Sequence, residues 1–346
     1  MKAAILETIN KPLVIGNIEL TPLAEGQVLV KVLVTGICGA QLEEILGHKG
    51  NAKFVPHLLG HEACGIVDEI GVGVTTVKKG DKVTMHWRKG DGIESDFPRY
   101  LYKGKEIASG KVTTFSEYSI VSENRVTRVP QETPNDLAAL LGCALSTGIG
   151  VVNAVNVQPG ENVLIIGAGG MGLNLIRAAR NAGAECVVAV DVADKKILAE
   201  NVGADFFIQT TVTPLAEGLE SIAGIKNADV IISTVTDKKT TEEALPLLAP
   251  SGRYVLVGQP VPGESIEITN ASHFHEGEGK MLMGTQSGGF YPTRDIPLYL
   301  EMIKKGETSI DGIITKRITL EQINEAIDEV RAGKAGRIMI DFNHND

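Results

Sequence analysis

The sequence predicts an α/β protein in two parts, a β-barrel-like unit and a doubly wound parallel sheet. Three observations carry this expectation. The chain has 346 residues, more than one hydrophobic core usually serves. Residues 1–130 are rich in short β-prone runs broken by glycine turns. A glycine-rich turn, Gly167-Ala168-Gly169-Gly170-Met171-Gly172, lies between an apolar run and an amphipathic stretch.

In the first part, Val28 to Val34 alternates branched apolar residues with others and ends at Gly36. Gly65 to Ile70 is a second strand, followed by Gly71-Val72-Gly73, and Gly80-Asp81 turns the chain before Lys82-Val83. The pattern changes near residue 146. Asn162–Ile166 reads as a strand, with a helix running from the glycine turn to Ala182. Cys186–Val190 is the next strand, closed by Asp191, and further strands are expected at Asp229–Ser233 and Arg253–Val257. Near the end, Thr319 and Gln322 form a capping-box pattern. Leu320, Ile323, Ile327 and Val330 follow at helical spacing, and Arg337 to Phe342 is a last strand, expected to return to the first part.

Bulk properties narrow the function. Composition is that of a globular protein, 43% hydrophobic and 22% charged, and the net charge is −10. Such an acidic chain without basic runs is a poor nucleic-acid or membrane-surface binder. No apolar run reaches a membrane span, and Glu7 comes too early for a signal peptide, so a cytoplasmic protein is expected. In that compartment the four cysteines, Cys38, Cys64, Cys143 and Cys186, read as core residues, ligands or nucleophiles rather than disulfides.

The glycine turn has the spacing of a dinucleotide fingerprint. Gly167, Gly169 and Gly172 permit a tight turn, close approach of a pyrophosphate and tight packing of helix on strand. Asp191 arrives 191 − 172 = 19 residues later, at a strand end. Its carboxylate can accept from ribose hydroxyls and repel a 2′-phosphate, which favours NAD over NADP. Cys38, His61 and Cys143 suit a zinc ion, two thiolates and an imidazole leaving a fourth position open. Such a centre polarises an alcohol hydroxyl so that hydride can leave its carbon. Glu62, beside His61, can approach the metal or tune its ligands. Taken singly, each cysteine also fits a packed core.

These motifs resemble the zinc-dependent alcohol dehydrogenases of the medium-chain dehydrogenase/reductase superfamily over nearly the whole chain. The carriers are Gly36-Ile37-Cys38, Gly60-His61-Glu62 with Gly80-Asp81-Lys82-Val83, Thr114-Phe115-Ser116-Glu117-Tyr118, Gly142-Cys143 through Gly148, Gly288-Gly289-Phe290 and Arg337. The resemblance implies a GroES-like β-barrel catalytic domain, 1–145 and 288–346, with an inserted Rossmann domain, 146–287. It implies cofactor contacts from Gly167, Gly169, Gly170, Met171, Gly172, Asp191, Lys196 and Arg337, with Thr147 lining the cofactor cleft. Trp87, Arg88 and Phe115 are expected at the substrate pocket, and a homodimer or homotetramer is expected.

Three departures stand out. Where relatives carry the hydroxyl that relays the alcohol proton, this chain has Ala40. Gln41 replaces the aspartate that partners the zinc-bound histidine, and Glu43 replaces a relay histidine. The relay is therefore expected to pass through Glu43, water or the substrate itself. Residues 84–113 contain no cysteine, so no second, structural zinc is expected. The same lobe is locally basic, which suggests Arg88 or Lys89 as a holder of a polyhydroxylated or anionic substrate. Other readings are a zinc-free quinone or enone reductase, a non-catalytic NAD sensor, and an epimerase or lyase that retains NAD.

Overall fold

A computed structural model describes residues 1–269 and 271–342. The barrel-like part is built on the long strand Gln27–Ile37, whose valines at 28, 30, 32 and 34 are all buried. That strand pairs antiparallel with three others: Glu62–Ile70, Tyr118–Ser122 and Arg337–Asp341. Lys82–His86 and Val126–Arg128 extend the sheet on one side and Ile314–Ile318 on the other, giving seven strands. The C-terminal strand thus crosses back, with Ile338 opposite Ile37 and Asp341 opposite Val34.

The second sheet has six strands, all parallel. Their order is Phe206–Gln209, Cys186–Asp191, Asn162–Ile166, Ala228–Ser233, Leu248–Leu256 and Met281–Gly284. Helices cover its faces, so its inner strands read as continuous apolar runs such as Val163-Leu164-Ile165-Ile166. The strand order reverses beside Asn162–Ile166. Open parallel sheets bind ligands at such a switch point, beyond the carboxyl ends of the strands. Gly167–Gly172 lies there.

The helix Ala144–Ala154 joins the two parts, buried over Ala144–Val152. One apolar cluster runs from Val34 and Cys64 through Leu137 and Ala144 to Val163 and Ile176. The sheets therefore share a core, and a site between them has a firm floor. Within the β-rich stretch, the helix Gly39–Leu46 follows Cys38 directly, an element not read from the sequence. The capping box at Thr319 and Gln322 opens a short helical turn that leads into the helix Ile323–Arg331. Among the described residues no helix is long and apolar enough to cross a membrane.

Candidate active site

Three segments distant in sequence meet at the joint. Cys38 ends the strand Gln27–Ile37 and stands at the N-cap of Gly39–Leu46, while Cys143 stands at the N-cap of Ala144–Ala154. Two thiols at two helix N-termini occupy the position where peptide dipoles favour a thiolate. His61 follows Gly60, whose φ of +95° suits glycine and whose absent Cβ would meet Thr114 Oγ1 at 2.4 Å. The metal-binding atoms of Cys38, His61 and Cys143 lie within 4.8 Å of one another.

Electrostatics treat the two sulfurs oppositely: the hydrogen bond to Cys38, then burial, push the Cys143 thiol well above the usual thiol range. A hydrogen bond from Cys143 holds the Cys38 thiol well below the usual thiol range, with Arg337 and His61 adding to it against desolvation. The donor set, its convergence and its partial burial fit a zinc ion with an open fourth position.

Behind the triad sits a buried ion pair. Glu62 and Arg337 are shut off from solvent and joined through Glu62 Oε1 and Arg337 Nη2, while Glu62 Oε2 accepts from the Ala144 backbone N–H at 3.0 Å. Burial raises the Glu62 pKa, and Arg337 and His61 oppose the rise. Arg337 Nη1 donates to the Ile37 carbonyl at 3.1 Å. The carboxylate thus props the Cys143 helix rather than pointing at the triad's open side.

The cofactor side has matching features. A Cβ on Gly172 would lie 1.7 Å from the Gly167 carbonyl oxygen, so the turn closes only with glycine there. Nothing stands within 4 Å of the missing Cβ of Gly169, which leaves that face open. The helix Gly170–Asn181 directs its N-terminus, including Met171, toward the same space. Thr147 Oγ1 is buried with no hydrogen-bond partner among the described residues, a vacancy suited to a ligand. Asp191 Oδ2 accepts from Ala168 N at 2.8 Å and Oδ1 from Ala193 N at 3.0 Å, which fixes the carboxylate at the end of its strand. These features fit a dinucleotide.

Several expected residues are placed differently. Lys196 points to solvent and pairs with Glu200, whereas Lys195 is buried with its Nζ 3.1 Å from Asp191. Phe115 is buried in a core cluster with Leu59 and Ile37, not at a pocket wall. Arg337 bonds Glu62 and also stands at the glycine turn as expected, with its Cδ 3.2 Å and its Nη1 3.5 Å from where a Gly170 Cβ would be. Glu43 accepts from or shares a proton with His48 Nδ1 at 2.8 Å. A cavity of about 780 Å³ opens beside His61, walled by residues that include His57, Phe54, Phe97 and Arg99; Trp87 and Arg88 do not line it. Phe54, Phe97 and Lys195 were missed. Only the i, i+4 spacing of Lys195 from Asp191 was a usable signal.

Together, the split β sheet, the parallel sheet and a Cys/His/Cys centre between them define an oxidoreductase that pairs a metal with a nicotinamide cofactor. The chain belongs to the zinc-binding alcohol dehydrogenase family: residues 24–131 match the alcohol dehydrogenase GroES-like domain and residues 170–305 match the zinc-binding dehydrogenase domain. It is an enzyme that transfers hydride between an alcohol and a nicotinamide cofactor. It is 31% identical over 371 aligned positions to S-(hydroxymethyl)glutathione dehydrogenase of Synechocystis sp., covering 99% of each chain. An alcohol dehydrogenase zinc-binding domain protein from Burkholderia ambifaria superposes with a TM-score of 0.89 at 24% identity, over 99% of both chains. The 2R,3R-butanediol dehydrogenase of Bacillus subtilis superposes with a TM-score of 0.77 at 25% identity, again over 99% of both.

Proposed function

We propose that this chain is an NAD-dependent dehydrogenase with one zinc per chain, acting on an alcohol that carries an anionic group or further hydroxyls. The carrying observation is the convergence of Cys38, His61 and Cys143 within 4.8 Å, at the joint between the barrel and the open turn of the parallel sheet. A zinc ion bound there supplies the positive charge that acidifies a substrate hydroxyl. The chain's residues do the rest. The glycine turn and Asp191 hold the dinucleotide, and Thr147 Oγ1 offers its free hydroxyl to the nicotinamide end. In oxidation the carbinol carbon loses a hydride to the cofactor and the hydroxyl loses a proton to solvent. Ala40 cannot carry that proton, so we assign its outward path to Glu43 with its partner His48, reached through water because the cavity beside His61 is walled by Glu44 and Lys49 rather than by that pair.

The substrate reading rests on Arg88. In the sheet, Glu62 lies opposite His86, so Trp87 and Arg88 leave the strand end on the His61 side, outside the wall of the cavity beside His61 and within reach of the distal part of a longer substrate. The Arg88 guanidinium sits 5.4 Å from the Trp87 ring centroid. Among the described residues no carboxylate pairs with it, although Arg88 is half-buried. Lys89, Lys111 and Arg125 share the single carboxylate of Glu94, so the lobe around Arg88 keeps an excess of positive charge. Against the desolvation that would raise it, Asn124 and Arg125 hold the Glu94 carboxyl down to about 2. A half-buried cation without a counter-ion favours an anionic or hydroxyl-rich ligand. Arg88→Ala should raise KM for a sugar phosphate at least tenfold more than for butane-2,3-diol, an estimate of about 1.4 kcal/mol. Equal effects on both substrates would remove Arg88 from recognition.

The division into residues 1–145 with 288–346, and 146–287, is supported by the return of Arg337–Asp341 to Gln27–Ile37. A homodimer or homotetramer is supported by the outer strand Met281–Gly284, where Met281 and Leu282 are exposed on a sheet edge. A soluble cytoplasmic setting agrees with the free thiols of Cys38, Cys64, Cys143 and Cys186.

A further inference from the structure

We propose that Gln41 is a positioning residue that keeps the metal at Cys38, His61 and Cys143 loosely held, because its amide cannot satisfy both of its neighbours once the metal is bound. The inference rests on the reading of the triad as a zinc centre. Gln41 is 1% exposed and is the third residue of the helix Gly39–Leu46, so no solvent corrects its bonding.

The orientation of the amide follows from chemistry. The Cys38 backbone N–H can only donate, and Gln41 Oε1 receives it at 2.9 Å. The oxygen is thereby assigned to Cys38, and the NH₂ group faces His61 Nδ1 at 2.5 Å. An amide NH₂ only donates. On the other side of the ring, His61 Nε2 faces Cys143 Sγ at 3.2 Å, so Nε2 is the nitrogen turned toward the other ligands. A neutral imidazole bound to a metal through Nε2 carries its hydrogen on Nδ1. Two donors then face each other between Gln41 and His61. Turning the amide over gives Oε1 to His61 but sets the NH₂ against the Cys38 N–H, and the same conflict moves to the other partner. In either orientation one buried donor lacks an acceptor.

A carboxylate of the same length removes the conflict, since its two oxygens can accept from Cys38 N–H and His61 Nδ1–H together. Outer partners of metal-bound histidines commonly change metal affinity by about 10–100-fold. Gln41→Glu should therefore tighten zinc by about that factor. The test is competition for zinc between the full-length protein and a chromogenic chelator, with cobalt(II) absorption recording ligand geometry. A gain in affinity with an unchanged cobalt spectrum supports the proposal. An unchanged or weaker affinity in a folded Gln41→Glu protein overturns it. Failure of the parent protein to bind zinc at all would instead overturn the metal reading. Should the variant not fold, nitrogen-15 spectra of glutamine-labelled parent protein decide the matter. The Gln41 side-chain amide resonances should shift on zinc addition as the His61 Nδ1 acceptor is lost to them, and resonances that stay fixed while zinc binds overturn the proposal.

Discussion

Glu62 and Arg337, 275 residues apart, form an ion pair in which neither side chain meets solvent. Burial opposes the Arg337 charge, but Glu62, Cys38 and Cys143 raise its pKa and hold it protonated. The pair fixes the last strand to the segment that carries His61, and Glu62 also caps the first turn of the Cys143 helix. Arg337→Leu leaves a carboxylate buried without compensation. It should lower stability by about 3–5 kcal/mol in chemical denaturation, and adding Glu62→Met should restore part of the loss. A loss below about 1 kcal/mol would show that the pair contributes little.

The proposed preference for NAD is carried by Asp191. Its carboxylate is fixed by two backbone N–H groups and by Lys195, so ribose hydroxyls meet a placed acceptor. NADH should bind more tightly than NADPH. Asp191→Ala should narrow the difference, and Lys195→Ala should widen it by leaving the carboxylate charge unopposed. Lys196→Ala, on an exposed residue, should change neither affinity. Fluorescence titration with both cofactors reads all of these, and equal parent affinities would reject the assignment.

His86 gives the fold a pH dependence. The ring is fully buried, donates from Nδ1 to the Arg88 carbonyl at 2.8 Å and accepts at Nε2 from the Thr127 hydroxyl at 2.9 Å. Burial lowers its pKa from 6.5 to about 4. Above pH 6.5 the ring is neutral in both folded and unfolded chains and its contribution is complete. As the pH falls toward 4, the unfolded chain takes up a proton that the folded chain refuses, and stability drops by up to about 3 kcal/mol. Unfolding curves across that range should therefore fall more steeply for the parent than for His86→Gln. Parallel curves would assign the acid sensitivity elsewhere.

The proposed proton route runs through Glu43 and His48. Glu43→Gln should lower kcat about tenfold or more where chemistry limits the rate, with zinc content and NADH affinity unchanged. Ala40→Ser should partly rescue it by restoring a hydroxyl nearer the metal. Unaltered turnover from about pH 6 to 9, roughly the span in which a general base near neutrality acts, would leave water or substrate as the carrier.

Much of the architecture was readable because periodicity and glycine spacing are local. Asn162–Ile166 has the same bounds in sequence and structure, and Cys186–Val190 is extended by one residue, Asp191. The triad was readable from three short motifs. The helix Gly39–Leu46 was not, because its eight residues present only Gln41 and Ile45 to the core. Pocket walls were least legible. Phe115 and Phe97 are both aromatic, yet packing against Leu59 buries one, while the turn of the lobe brings the other to the cavity. Such outcomes depend on contacts across many residues, which no local pattern records.

The most direct test is a zinc titration of metal-stripped protein, followed by NADH formation from NAD and a panel of alcohols, polyols and sugar phosphates. The account predicts no turnover without metal, a linear rise with added zinc and saturation at one zinc per chain. Cys143→Ala should stay inactive at any zinc level. Turnover in the metal-free protein, or saturation only at two zincs per chain, would contradict it.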